Sequence, residues 1–101
     1  MADRMPLSQL TAEYTTGDGS TWEHERARLE EIHPGKLARI RAEILAGHFP
    51  PVPLDHDEKR AVDGHHRIVA ALQLGVLVVP VVDAWADTAW MGHPSVWGAD
   101  G

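Results

Sequence analysis

Residues 62–82, VDGHHRIVAALQLGVLVVPVV, decide which fold the sequence predicts. A polar cluster around Gly64 opens the stretch, a helical pattern continues to Gly75, and an apolar run completes it. The run Val76–Val82 has the length of a strand and is apolar on both faces, which predicts a strand at the centre of a sheet. The helical pattern places its apolar side chains on one face, at Ile68, Ala71, Leu72 and Leu74.

The residues on either side of this helix predict how the sheet is connected. Arg60-Ala61-Val62 has the character of a strand that leads into the polar cluster. A strand, a helix and a strand joined by short connections imply a right-handed crossover and a parallel pair. Because Pro80 has no N–H group to donate, the last strand should carry a bulge there or turn that position towards an unpaired edge.

Two further helices are expected upstream. Ser20-Thr21-Trp22-Glu23 fits a capping box, in which a hydroxyl and a carboxylate bond the N–H groups of a helix start. This helix should run to about Ile32 and end at Pro34-Gly35, where the pattern breaks. The next should run from Lys36 to Ala46, because one apolar stripe is formed by Leu37, Ile40, Ile44 and Leu45.

Prolines and turn residues predict the rest of the sheet. A proline-rich segment excludes helix before and within Val52-Pro53-Leu54, which should be extended. Asp55–Lys59 is polar and should form a hairpin turn. Met5-Pro6-Leu7 is expected to be a short edge strand. Residues 10–19 are polar, and Thr15–Gly19 should form a turn or a mobile loop.

Together these elements predict an α+β fold, a small mixed sheet with about three helices packed on it. A chain of 101 residues has the length of one domain. Within it we distinguish an N-terminal strand, loop and capped helix (1–35), a core (36–83) and a C-terminal tail (84–101). The tail is rich in tryptophan, which is favoured at the centres of protein interfaces, so a protein partner is an option through Trp85, Trp90 and Trp97.

Charge and composition exclude several classes of function. Fifteen acidic residues against nine basic ones give a net charge of −6, which opposes non-specific binding to DNA. The chain has no cysteine, so thiolate nucleophiles, disulfides and cysteine zinc sites are excluded. No apolar run approaches the length that spans a bilayer, and the first residues do not resemble a signal peptide. We therefore expect a soluble cytoplasmic protein that does not enter membranes.

The polar cluster Asp63–Arg67 has the residue types of an anion site. A helix start carries N–H groups without intrahelical partners and about half a positive charge, which attracts phosphate. Gly64 lets a ligand approach the backbone, Arg67 supplies a guanidinium fork, and His65 and His66 add imidazole donors. Cations at a helix start oppose the helix dipole, and such a conflict with folding preferences indicates function.

The same residues resemble the ParB/sulfiredoxin superfamily. The resemblance rests on Asp63-Gly64-His65-His66-Arg67, the alanine-rich helix that ends at Gly75, and Val79-Pro80-Val81-Val82. The preceding helix and proline-rich strand, Ile40 to Leu54, follow the family's order, so that the likeness covers residues 36–82.

The resemblance implies several activities. ParB proteins bind CTP at this helix start, sulfiredoxins use ATP with a cysteine in Gly-Gly-Cys-His-Arg, and a related free-serine kinase carries Asp-Gly-His-Thr-Arg. His65 stands where the sulfiredoxin cysteine would be, so that chemistry is excluded. His66 and Arg67 match the phosphate-binding pair of sulfiredoxin. The resemblance thus implies that a nucleotide, CTP or ATP with Mg²⁺, binds through Gly64, His65, His66 and Arg67.

Three hypotheses follow. The first is a nucleotide-binding ParB-like domain, with NTP hydrolysis or phosphoryl transfer as an option in which Asp63 and His65 are the candidate catalytic residues. The second is a DNA-acting ParB-like nuclease or accessory factor. The third is a small interaction protein of phage type that binds a host partner without catalysis. No metal ligand set is predicted, because adjacent histidines such as His65 and His66 point about 100° apart on a helix. A structural reading also stays open, in which Asp63 caps the helix and Arg67 forms a surface ion pair.

Overall fold

Four strands and four helices make up residues 3–86, the part of the chain that the computed structural model describes. In chain order they are β1 (Asp3–Pro6), α1 (Leu7–Glu13), α2 (Trp22–Ile32), α3 (Pro34–Leu45), β2 (Val52–Asp55), β3 (Arg60–Ala61), α4 (His65–Leu74) and β4 (Val78–Asp83). The predicted α+β fold with a small mixed sheet is confirmed, and the described residues contain one helix more than predicted.

The sheet has the order β1-β4-β2-β3. Strand β4 pairs with β1 antiparallel and with β2 parallel, whereas β3 pairs with β2 antiparallel. The expectation that the strands on either side of α4 form the parallel pair is therefore wrong. The short turn after Asp55 folds β3 back against β2, so the crossover starts from β2 and carries both β3 and α4 before it reaches β4.

Strand β4 lies inside the sheet, but it starts later than the sequence predicts. Leu77 and Val78 are 82% and 45% exposed, whereas Val79 and Val81 are 0% and 4% exposed. Pro80 causes no bulge, because the register with β1 continues from Pro6↔Val78 through Arg4↔Pro80 to Asp3↔Val81. Pairing with β2 begins at Val81, one residue after the proline.

The N-terminal segment contains a helix where the sequence suggests a loop. Leu7 ends the expected edge strand and begins α1 instead, and its backbone N–H donates to Leu77 O at 2.9 Å. Leu7, Leu10 and Tyr14 are buried at 5%, 0% and 4% exposure. Their spacing of three and four residues is a helical stripe, which the polar residues between them conceal.

The caps of α2 and α3 differ from the prediction by one or two residues. Thr21 rather than Ser20 caps α2, since its hydroxyl accepts the backbone N–H of His24 at 3.0 Å. Ser20 instead donates its N–H and hydroxyl to Asp18 Oδ1, at 3.0 and 2.6 Å. Pro34 does not terminate the helical region but begins α3, where its fixed φ suits the first turn and no N–H is needed.

The core lies between the sheet and the helices. Its larger part joins α1, α2 and α4 to the inner strands through Leu10, Trp22, Leu54, Ile68 and Val79. Three further buried side chains, one each from α2, α3 and α4, pack together in a smaller cluster: Leu29, Leu37 and Val69. Within residues 3–86, no helix is long and apolar enough to cross a membrane.

Asp55, at the end of β2, connects the β2–β3 turn to the start of the tail. The carboxylate is buried, at 5% exposure, and its Oδ1 accepts the backbone N–H groups of Asp57 and Glu58 at 3.0 Å each. The bond from Glu58, then the side-chain bond from Trp85, lower the pKa of Asp55. Trp85 itself remains 52% exposed, while Trp90 and Trp97 lie outside the described residues.

Because the pKa of Asp55 is lowered by folding, ionised Asp55 stabilises the fold above its ordinary value of 3.8, and this contribution is lost as the pH falls below it. Asp55→Ala should therefore lower the free energy of unfolding near neutral pH, and its difference from wild type should shrink in acid. Urea denaturation across this range measures both. Asp57→Ala, at an exposed position of the same turn, is the matched control. A difference for Asp55→Ala that is independent of pH would contradict the explanation.

Candidate functional site

Gly64 and the first turn of α4 form the centre of the candidate site. Gly64 has φ +81° and caps the helix without a side-chain bond, and the first intrahelical bond runs from Ile68 N–H to Gly64 O at 3.0 Å. The predicted tight turn and helix start at this glycine are therefore present. The positive end of the α4 dipole lies here, with no side chain of the cap residue to neutralise it.

Arg67 is buried against the protein and does not extend into solvent. Its residue exposure is 7%, and Nη1 donates to the carbonyl oxygens of Pro50 at 3.0 Å and Pro51 at 2.9 Å. Nη2 donates to Asp63 Oδ2 at 3.3 Å. Burial lowers the pKa of the guanidinium, and the Asp63 carboxylate opposes that shift. Arg67 thus connects the start of α4 to the proline segment that leads into β2, with its donors directed at protein oxygens.

Gly64 leaves the space that Arg67 occupies. A Cβ at this position would lie 3.1 Å from Arg67 Nη2 and 3.2 Å from Arg67 Nε. The glycine that the sequence suggested for ligand approach therefore also permits the arginine to pack over the backbone. Both the positive φ and this contact require glycine here.

His65 bridges α4 to α2. Its Nδ1 lies 2.8 Å from Glu25 Oε2, its Nε2 lies 3.1 Å from the Ala61 carbonyl oxygen, and Trp22 meets the ring edge-on at 5.4 Å between centroids. Both ring nitrogens face acceptors, so both bonds form only when each nitrogen carries a proton. His65 is therefore held rigidly at the rim of the site.

Glu25 is a site residue that the sequence reasoning missed. Its side chain is fully buried, and Arg28 Nε donates to its Oε1 at 2.8 Å while His65 engages its other oxygen. The spacing within α2 indicates that Glu25 is buried, because it stands three residues after Trp22 and four before Leu29, on the same face of the helix. A carboxylate on such a face needs buried partners, which the sequence alone could not name.

His66 turns away from His65 and faces the junction between α2 and α3. His66 Nε2 lies 3.0 Å from His33 Nδ1, with the ring centroids 5.1 Å apart and the planes tilted by 37°. His33 ends α2 and precedes α3. Adjacent in sequence, His65 and His66 thus contact different elements, in agreement with the predicted divergence on a helix.

A cavity of about 210 Å³ opens to solvent at the start of α4. Three of the five predicted site residues, Asp63, His65 and His66, line it, whereas Gly64 and Arg67 do not. The guanidinium at the cavity belongs to Arg28. Its side chain is 48% exposed and held by Glu25. The remaining lining residues are Glu25, Leu29 and Val62.

The five predicted residues are consecutive in the chain, but their side chains contact different partners. Asp63 and Arg67 pair with each other, His65 pairs with α2 and His66 with His33. The catalytic roles suggested for Asp63 and His65 stay predictions. Among the residues described, no three His, Cys, Asp or Glu side chains are grouped so that they could hold a metal ion.

Comparisons of the chain with protein-family models, curated proteins and solved structures find no match.

Replacing Arg67 by alanine should destabilise the protein strongly. The change leaves Asp63 and the carbonyls of Pro50 and Pro51 without their buried donor, which costs about 3 to 5 kcal/mol of unfolding free energy. Arg67→Lys keeps the charge but loses the fork, and should lose less. Arg26→Ala is the matched control, because Arg26 is 44% exposed and its pair with Glu30 contributes less than about 1 kcal/mol. Equal urea midpoints for Arg67→Ala and Arg26→Ala would refute the structural role.

Gly64→Ala and Gly75→Ala separate backbone strain from contact with Arg67. Both glycines have positive φ, +81° and +72°, so each alanine costs roughly 1 kcal/mol of strain. Only at Gly64 does the new methyl group meet a neighbour, Arg67, whereas at Gly75 no described atom lies within 4 Å. Thermal or urea denaturation should therefore show a loss larger by about 1 to 2 kcal/mol for Gly64→Ala. Equal losses would mean that Arg67 does not pack over Gly64.

Proposed function

We propose that the chain binds a phosphate group, such as the terminal phosphate of a nucleotide, in the cavity at the start of α4. One observation carries the proposal. Arg28 and His66 line a solvent-open cavity at a helix N-terminus that has no side-chain cap. Guanidinium, imidazole and the positive end of a helix are three independent sources of attraction for negative oxygen atoms.

The charges around the cavity support an anion rather than a cation. The carboxylate of Glu25, which is fully buried, accepts a hydrogen bond from Arg28 at one oxygen and contacts His65 at the other. The second carboxylate of the cavity, that of Asp63, accepts a hydrogen bond from Arg67 at one oxygen. The acidic groups therefore have cationic or donor partners within the protein, although the chain as a whole carries a net charge of −6.

The size of the cavity limits what enters it. Pockets that enclose a drug-sized ligand measure about 300 to 1,000 Å³. A volume of about 210 Å³ suits one or two phosphate groups, so the sugar and base of a nucleotide would lie outside, against the surface. Discrimination between CTP and ATP would then depend on surface residues rather than on an enclosed base pocket.

Arg67 has a different role here from the one that the ParB/sulfiredoxin resemblance implies. Its donors engage Pro50, Pro51 and Asp63, so we assign it the placement of the α4 start, and we assign the anion-binding guanidinium to Arg28. Asp63 is the residue that would hold Mg²⁺ brought in with a nucleotide, because its second carboxylate oxygen is not the one bonded to Arg67. Phosphoryl transfer or hydrolysis would be a further step, with Asp63 as the candidate base.

Calorimetric titration with inorganic phosphate, CTP and ATP, the nucleotides with and without Mg²⁺, tests the proposal. Arg28→Ala should weaken binding about tenfold or more, since a charge-assisted bond is worth about 1.5 to 3 kcal/mol. Arg26→Ala lies on the exposed face of the same helix, paired with Glu30, and should bind as wild type does. Binding should also weaken as salt is added.

Two results would contradict the proposal that the cavity binds phosphate. One is that wild type binds none of the three anions. The other is that Arg28→Ala and Arg26→Ala weaken binding equally, which would indicate a general charge effect.

A further inference from the structure

His33 and His66 place two imidazole nitrogens against each other at the surface. The nitrogens, Nδ1 of His33 and Nε2 of His66, lie 3.0 Å apart. His33 is exposed and His66 half-buried, so the pair can be reached from solvent. The pair lies at the edge of the cavity, because His66 lines the cavity and His33 does not.

The separation of the two nitrogens is close to that of two histidines on one metal ion. Zinc binds histidine nitrogen at 2.0–2.1 Å in tetrahedral geometry, which puts two such nitrogens about 3.3 Å apart. Small side-chain rotations that move the two nitrogens a few tenths of an ångström further apart would bring the pair to this distance. In the hydrogen bond one of the two nitrogens carries the proton and the other accepts it; when the metal displaces that proton, a lone pair on each nitrogen can point at the metal.

The backbone around both histidines is held firmly. The His33 N–H donates to Leu29 O at 2.8 Å, and the His33 carbonyl accepts from Leu37 N at 3.1 Å, so the residue belongs to both helices. His66 lies in the first turn of α4. The side chains of Leu29 and Leu37 pack with Val69 of α4 in one buried cluster, which fixes the distance between the two histidines.

We propose that His33 and His66 form a binding site for a late transition-metal ion, Cu²⁺, Ni²⁺ or Zn²⁺. Two imidazoles suit these ions and not Mg²⁺, which prefers oxygen ligands. Since the described residues provide no group of three side-chain ligands, the other coordination positions are for water or an added anion. The metal site shares His66 with the proposed phosphate site, and the two are distinguished by His33 and Arg28, each of which belongs to one site alone.

Titration with the metal salts alone tests the inference. Wild type should bind one ion per chain at this pair, most tightly Cu²⁺, with two nitrogen ligands in its electron paramagnetic resonance spectrum. His33→Ala and His66→Ala should each weaken binding about tenfold or more. His24→Ala, an exposed histidine on α2, is the matched control and should bind as wild type does. Binding should weaken in acid, because only an imidazole nitrogen without a proton binds a metal ion.

Two variants test the metal site and the phosphate site separately. His33→Ala should lose the metal and keep phosphate, whereas Arg28→Ala should lose phosphate and keep the metal. The metal proposal is overturned if His33→Ala binds Cu²⁺, Ni²⁺ and Zn²⁺ as wild type does. It is also overturned if His24→Ala reduces binding as much as His33→Ala, or if wild type binds none of the three ions. Circular dichroism of each variant establishes that it is folded.

Discussion

The buried guanidinium of Arg67 is the interaction on which the rest of the site depends. It bonds two carbonyls of the proline segment before β2 and the carboxylate before α4, so one side chain joins the segment that enters β2 to the start of α4. Gly64 has no side chain because Arg67 packs over it. With the first turn of α4 fixed in this way, His65 is directed to α2 and His66 to the junction of α2 and α3.

Charge pairing explains why the cavity can be polar and still belong to a stable fold. Burying Glu25 would be costly without partners, and Arg28 and His65 supply them from two helices. The same pairing holds Arg28 at the mouth of the cavity. The fold therefore places Arg28, a cation of α2, at the cavity beside the start of α4, where His65 and His66 also lie.

The sequence predicts the α+β class, β2, most of α2 to α4 and the helix start at Gly64, because proline, glycine and apolar periodicity act locally. It misplaces the parallel pair, since the partner of β4 depends on which way the hairpin after Asp55 folds. It misses α1, whose two buried residues, Leu7 and Leu10, are separated by polar ones. It does not show that Arg67 faces Pro50 and Pro51, because this contact joins segments that are distant along the chain. The DNA-acting and partner-binding hypotheses stay predictions, and Trp90 and Trp97 lie outside the described residues.

Nitrogen-15 NMR of the arginine side chains, recorded with and without inorganic phosphate, tests most directly which guanidinium meets the anion. We expect Arg67 to show slowly exchanging Nη protons, as buried donors do, and to keep its chemical shifts when phosphate is added. The Arg28 Nε resonance should move. If instead the Arg67 resonances exchange rapidly with water and move with phosphate while Arg28 stays unchanged, Arg67 is the anion ligand and the assignment made from its buried contacts is wrong.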